Sequence, residues 1–107
     1  MATLWHCFVV TKLTPAQIKI AQTAVPEWRR TGAVIRRTFV FKDFVLAMKF
    51  VATVARLAER AWHHPDIDIR WNKVTLALTT HDAGGLSTLD VSLAQRIEQL
   101  VSGIPSL

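Results

Sequence analysis

The sequence predicts an α+β domain: a four-stranded antiparallel sheet with helices packed on one face, in the order α-β-β-α-β-β-α. Three observations carry that expectation. Stretches with apolar residues at three- and four-residue steps mark helices. Between them lie two pairs of short extended segments, each pair folded over a turn. Strands joined by tight turns run antiparallel, and helices set between such pairs cover the same sheet.

The elements follow in order. Thr14 is a helix cap and Pro15 suits the first helical position, so "AQIKIAQTAV" continues as a helix with Ile18, Ala21 and Val25 inward, stopped by Pro26. "EWRRTGAVIRRTFVFK" reads as two strands around Thr31-Gly32, with Ile35, Phe39 and Phe41 apolar and Arg37 polar. Asp43 caps a long helix, "FVLAMKFVATVARLAERAW". Phe44, Met48, Val51, Ala55, Ala58 and Trp62 form its apolar stripe and are expected in the core, with Lys49, Arg56 and Arg60 opposite. Pro65 ends it, because the residue before a proline is pushed out of the helical region. Ile67, Ile69 and Trp71 alternate with Asp68, Arg70 and Asn72, a turn is expected at Asn72-Lys73, and "KVTLALTTH" runs to His81 as the last strand. Gly84-Gly85 break the pattern, and a final helix capped by Ser87 or Thr88 carries Leu89, Leu93, Ile97 and Leu100 on one side.

At 107 residues the chain suffices for one domain and one core, residues 1–107. No apolar run approaches the roughly 20 residues of a membrane span. Phe8-Val9-Val10 is too short for a signal-peptide core, so the expected location is cytoplasmic. Cys7 is alone, which excludes an internal disulfide and a cysteine-built zinc site. The formal charge is +5, from 13 basic and 8 acidic side chains, but the basic residues are scattered. They read as a solvated surface rather than a nucleic-acid footprint. Half the residues are hydrophobic, a high share for so small a domain, and this predicts apolar surface buried in a homo-oligomer.

Histidine is scarce, yet two of the four stand together in "AWHHPDIDIRW". If the helix persists to His63, Glu59 lies one turn away within hydrogen-bond reach. His64 must point elsewhere. His81 ends the last strand, beside Asp82 and a glycine pair whose backbone amides could approach a ligand. Imidazoles with carboxylates nearby can give and take protons near neutral pH. Each residue also has a plainer reading: a histidine pair before proline can simply face solvent, and His81-Asp82 can be no more than a turn. No zinc motif matches this spacing. Ser87 and Cys7 have no evident paired base, so covalent catalysis is not indicated. Trp71 either packs in the core or stacks on a flat ring.

Glu59, His63-His64-Pro65, Trp71, His81 and Asp90, at these separations and with "WNKVTLALTTHDAGGLS" around them, resemble the signature of the pterin-4a-carbinolamine dehydratases. The resemblance runs from about Trp28 to Ile97, and residues 1–13 add nothing to it. It implies removal of water from 4a-hydroxytetrahydrobiopterin or a related 4a-hydroxytetrahydropterin, giving the quinonoid dihydropterin, with no cofactor and no metal. It also implies tetrahydrobiopterin recycling for an aromatic amino acid hydroxylase, and a homotetramer built as a dimer of dimers. By the same resemblance His63, His64 and His81 are catalytic and Glu59 and Asp90 are supporting carboxylates. Trp62, Pro65, Trp71, Thr79, Thr80 and Asp82 join the three histidines around substrate. Animal members carry an arginine before the aspartate that Asp90 matches, whereas here the position holds Leu89, which puts the preferred pterin side chain in doubt. The family also resembles transcription-factor dimerisation cofactors and assembly chaperones of carbon-fixing enzymes, so a non-catalytic binding module is the alternative.

Overall fold

Thr14 starts the first helix by a reciprocal pair of bonds: its hydroxyl accepts from the Gln17 amide at 3.2 Å, and the Gln17 side chain accepts from the Thr14 amide at 2.8 Å. In this computed structural model, which describes residues 11–103, helix α1 spans Pro15–Gln22. The helix was expected to run on towards Pro26. Instead the amides of Thr23, Ala24 and Val25 each bond to the carbonyl three residues back, which tightens the chain yet still delivers Val25 to the core. The expectations placed on Cys7 and on Phe8-Val9-Val10 lie outside the described residues.

Strands β1 (Arg29–Thr31) and β2 (Val34–Val40) form the first hairpin. Its turn is Gly32-Ala33, one residue later than expected, because Gly32 takes the left-handed φ of +60° that the reversal needs. Ile35 and Phe39 of β2 are buried as the alternation predicts. Arg37 lies on that same face: its guanidinium sits 4.5 Å from the Phe39 ring and reaches Glu98, which also accepts the Trp28 indole N–H at 2.9 Å.

Asp43 caps helix α2 (Phe44–Ala61) by accepting from the Leu46 amide at 2.8 Å. Its buried face is Ala47, Phe50, Val54 and Ala58. The stripe expected in the core is therefore corrected: Phe44 is 47% exposed, Met48 38% and Trp62 79%. At 100° per residue they lie beside the buried face, and the helix is apolar over both. Strands β3 (Asp66–Arg70) and β4 (Lys73–Leu78) form the second hairpin. The turn falls on Trp71-Asn72, not Asn72-Lys73, with Trp71 left-handed at φ 54°. Asn72 fixes it by donating to the Phe41 carbonyl at 2.8 Å. β4 stops at Leu78, and His81–Ala83 form a single 3-10 turn rather than strand. Helix α3 (Thr88–Ser102) is capped by Ser87, and it buries Asp90, Leu93, Ala94, Ile97 and Val101.

The sheet order is β1-β2-β4-β3, antiparallel throughout. Ile35 opposes Leu78 and Phe39 opposes Val74, so the apolar residues of β2 and β4 share the face the helices cover. Ile67 and Ile69 oppose Leu76 and Val74 on that face, but they sit on the edge strand and stay 37% exposed. The predicted α+β order, with four antiparallel strands and three helices on one face, is the one observed. Among the described residues no helix is long and apolar enough to cross a membrane.

Candidate active site

Helix α2 ends because Trp62 adopts a left-handed conformation, φ 52°, from which its amide bonds back to the carbonyls of Ala58 and Glu59. That reversal turns His63 into the protein and His64 out of it. His63 is buried beneath α3, and its Nε2 lies 2.5 Å from Asp90 Oδ1. His64 remains exposed, and its Nε2 lies 2.6 Å from Glu59 Oε2. The pairing expected between Glu59 and His63 is thus replaced by Glu59–His64, because the helix does not persist to His63. Each helix-end imidazole has a carboxylate of its own.

The two carboxylates differ in weight. Glu59 and His64 are more than half exposed, and an ion pair in water contributes little. Asp90 has no exposed surface. It occupies the third position of α3, where its Oδ2 accepts from the Ser87 amide at 2.9 Å and so closes the helix cap. The same oxygen accepts the Thr80 hydroxyl at 2.8 Å, and Thr80 in turn meets the Ser87 hydroxyl at 2.7 Å. One carboxylate therefore ties the start of α3, the end of the β4 segment and His63 together. A carboxylate that accepts at Oδ1 pairs with an Nε2–H, so the neutral tautomer of His63 that fits this contact carries its proton on Nε2 and its lone pair on Nδ1.

His81 arrives from the other side. Thr80 pairs with Gly85 through two backbone bonds of 3.1 and 3.2 Å, and Gly84, left-handed at φ 76°, bonds to the His81 carbonyl. This small loop holds His81 and Asp82 outward. It also engages the amides of Gly84 and Gly85 internally, so the expected approach of those amides to a ligand is not available. Trp62, His63, His64, Thr79, Thr80, His81, Asp82 and Leu89 line one hollow of about 290 Å³, the lower end for a small-molecule site. The Thr79 hydroxyl donates to the Ala33 carbonyl at 2.6 Å and that of Thr80 to Asp90, so both threonines shape the wall with hydroxyls already engaged.

Pro65 follows His64 without lining the hollow. Trp71 is not brought to it: the pairing of Asp66 with Ala77 lies at the histidine end and that of Arg70 with Lys73 at the other. Five residues of strand, about 17 Å, separate Trp71 from Pro65. The residues of the site that sequence reasoning undervalued are Ser87 and Leu89. Ser87 is part of the buried network rather than a lone hydroxyl, and the pattern Ser-x-x-Asp before an apolar run is its signal. A larger concavity of about 470 Å³ lies between α2 and α3, but it contains no imidazole or carboxylate, so size alone does not locate the chemistry. Among the described residues no cluster of three or more His, Cys, Asp or Glu side chains is arranged to hold a metal ion.

Residues 11–100 match the family model described as pterin 4 alpha carbinolamine dehydratase. A protein of Roseiflexus sp. (strain RS-1), whose name assigns it to that family, is 50% identical over 93 residues, covering 87% of this chain and 100% of its own. One from Acidobacterium capsulatum is 51% identical over 92 residues, with 86% and 100% covered. Among solved structures, a transcriptional coactivator/pterin dehydratase from Brucella melitensis superposes with a TM-score of 0.80 at 33% identity, covering 84% of this chain and 98% of that one. A pterin dehydratase-like protein described as a RuBisCO assembly factor in the alpha-carboxysome shares the fold at a TM-score of 0.59 and 19% identity, over 72% of this chain and 89% of its own. By its sequence over most of its length and by its fold, the chain belongs to the pterin 4 alpha carbinolamine dehydratase family.

Proposed function

We propose that the protein is a dehydratase acting on a 4a-hydroxytetrahydropterin such as 4a-hydroxytetrahydrobiopterin. The observation that carries this reading is the meeting of His63, His64 and His81 at one hollow, with a carboxylate behind each of the first two. The reaction breaks the C4a–O bond. One proton must reach the departing hydroxyl and one must leave N5, giving water and the quinonoid dihydropterin. His63 fits the base, since Asp90 holds its proton on Nε2 and turns the lone pair of Nδ1 to the work. His81, exposed at the tip of its turn, fits the acid. His64 and Asp82 hold the ring through its N–H groups, and Trp62 offers a face to stack on. No bond to the protein forms and no electron is transferred. A tetrahydropterin-dependent aromatic hydroxylation generates such a substrate, and on this reading the protein serves the recycling of that tetrahydropterin.

The test is a stopped-flow ultraviolet assay of hydroxypterin decay. Addition of the purified protein is expected to accelerate the decay in proportion to its concentration. No acceleration by folded protein, together with capture of a stable macromolecular partner, would replace this reading with the binding-module one.

We further propose a homotetramer, arranged as a dimer of dimers. Phe44 and Met48 expose an apolar flank of α2, and β3 is an edge of the sheet. Both are surfaces a second copy covers well. Met48→Glu, a charge set into that flank, is expected to lower the mass measured by sedimentation. A wild-type monomer at micromolar concentration would remove the proposal.

A further inference from the structure

Arginines gather on the α3 side of α2 where no acid meets them. Arg56 and Arg60 stand four residues apart on α2, and Arg96 faces them from α3 across the 470 Å³ groove. Like charges at that spacing repel. None of the three forms an ion pair among the described residues, and Glu59, the carboxylate beside Arg60, is taken by His64. The floor of the groove is apolar, supplied by Leu57 and Leu100.

This groove is not isolated from the histidine hollow. A smaller cavity of about 220 Å³ lies between them. It shares His63 and Leu89 with the hollow, and Arg60 and Arg96 with the groove. The three concavities follow one another along the seam of α2 and α3. From Leu89 to Arg96 is seven residues of helix, about 10 Å. An arginine side chain spans much of that distance back towards the hollow. Leu89 sits at the junction with no hydrogen-bonding group, so a polar substituent passing it finds its first fixed charges at Arg60 and Arg96.

We infer that the protein selects pterins whose C6 side chain ends in an anion, a phosphate or a carboxylate, with Arg60 and Arg96 as its specificity-determining residues and Arg56 as an outer attraction. The inference rests on the dehydratase reading for the place of the ring, and on the arginine groove alone for the place of the charge. Guanidinium forks match both oxyanions in paired hydrogen bonds. Because these side chains lie at the surface, their attraction is screened by salt.

The test compares 4a-hydroxy derivatives of tetrahydrobiopterin, which has an uncharged side chain, of tetrahydroneopterin phosphate and of tetrahydrofolate. The expected result at low ionic strength is a kcat/KM at least roughly tenfold higher for one or both anionic substrates, carried mainly by KM and shrinking as salt is raised. Which of the two is preferred identifies the anion. The Arg60→Gln/Arg96→Gln double variant is expected to bring the ratio of anionic to neutral substrate towards one. Fluorescence titration with oxidised neopterin and its phosphate supplies the same comparison without turnover. Turnover of all three substrates with equal kcat/KM overturns the inference and leaves the dehydratase reading standing. Tighter binding of the phosphate, abolished in the double variant but without turnover of any substrate, overturns the dehydratase reading and keeps the anion arm. No binding of either pterin overturns both.

Discussion

His63→Ala is expected to lower kcat/KM by roughly 10²-fold or more, the usual contribution of a positioned acid or base. The reason lies in the setting of the ring. His63 is 8% exposed, it lines the hollow, and its Nε2 is held by Asp90, which leaves Nδ1 as the nitrogen for the reaction. Removing the imidazole removes the acceptor for the N5 proton, and water in its place lacks both the orientation and the carboxylate behind it. His81→Ala is expected to cost a similar factor through the other proton, whereas His64→Ala is expected to act mainly on KM. Since His63 also partners a buried carboxylate, His63→Gln, which still has an N–H to offer Asp90, separates loss of chemistry from loss of fold. Full activity in both the His63→Ala and His81→Ala variants would show that the proton-transfer roles are wrongly assigned.

Asp90→Ala is expected to be the most destabilising single change at the site, by about 3–5 kcal/mol, because buried donors left without an acceptor cost about 1–3 kcal/mol each. Two oxygens with no exposed surface serve His63 Nε2, the Thr80 hydroxyl and the Ser87 amide. Truncation leaves the His63 N–H and the Ser87 amide without an acceptor, leaves the Thr80 hydroxyl only its contact with Ser87, and removes half of the reciprocal cap of α3. Thermal unfolding by circular dichroism should record a fall in Tm of at least about 12 °C, since each kcal/mol shifts a domain of this size by roughly 4–8 °C. Asp68→Ala, at an exposed position on β3 where the side chain pairs with Arg70, should stay within about 0.5 kcal/mol of wild type. A loss below 1 kcal/mol for Asp90→Ala would mean that the network relaxes onto water and that Asp90 does not anchor His63.

The elements were legible where a local interaction makes them. Thr14, Asp43 and Ser87 each cap the helix their chemistry announces. The register of helix burial was not legible. In α2 both Ala47-Phe50-Val54-Ala58 and Phe44-Met48-Ala55-Trp62 keep helical spacing, and periodicity has no means to choose between two adjacent apolar faces. The choice is made by the sheet beneath. The exchange of His63 for His64 as partner of Glu59 has a similar origin. Pro65 announces that the helix must stop, but no glycine in the sequence marks the left-handed turn at Trp62 that rotates the two rings. Trp71 shows the reverse case: five strand residues carry it to the end of the hairpin opposite the histidines, where it forms part of the turn. Arg37 read only as a polar residue among Ile35, Phe39 and Phe41, and its partner on the helix side, Glu98, lies 61 positions away where no local pattern points to it. Asp90 was reached through family resemblance, and only the tertiary fold makes one carboxylate both a helix cap and a histidine anchor. Likewise Arg56 and Arg60 looked like one face in solvent until α3 brought Arg96 across from them.

The account depends on the end of α2 and the turn after β4 converging on a hollow that receives a pterin ring. Imidazole nitrogen resonances followed by NMR during titration with 7,8-dihydrobiopterin, a stable analogue of the product, test this most directly. The expected result is that the signals of His63, His64 and His81 all move, and that they report one common Kd. Binding that leaves His63 and His81 unmoved, or moves them with different constants, would contradict the account.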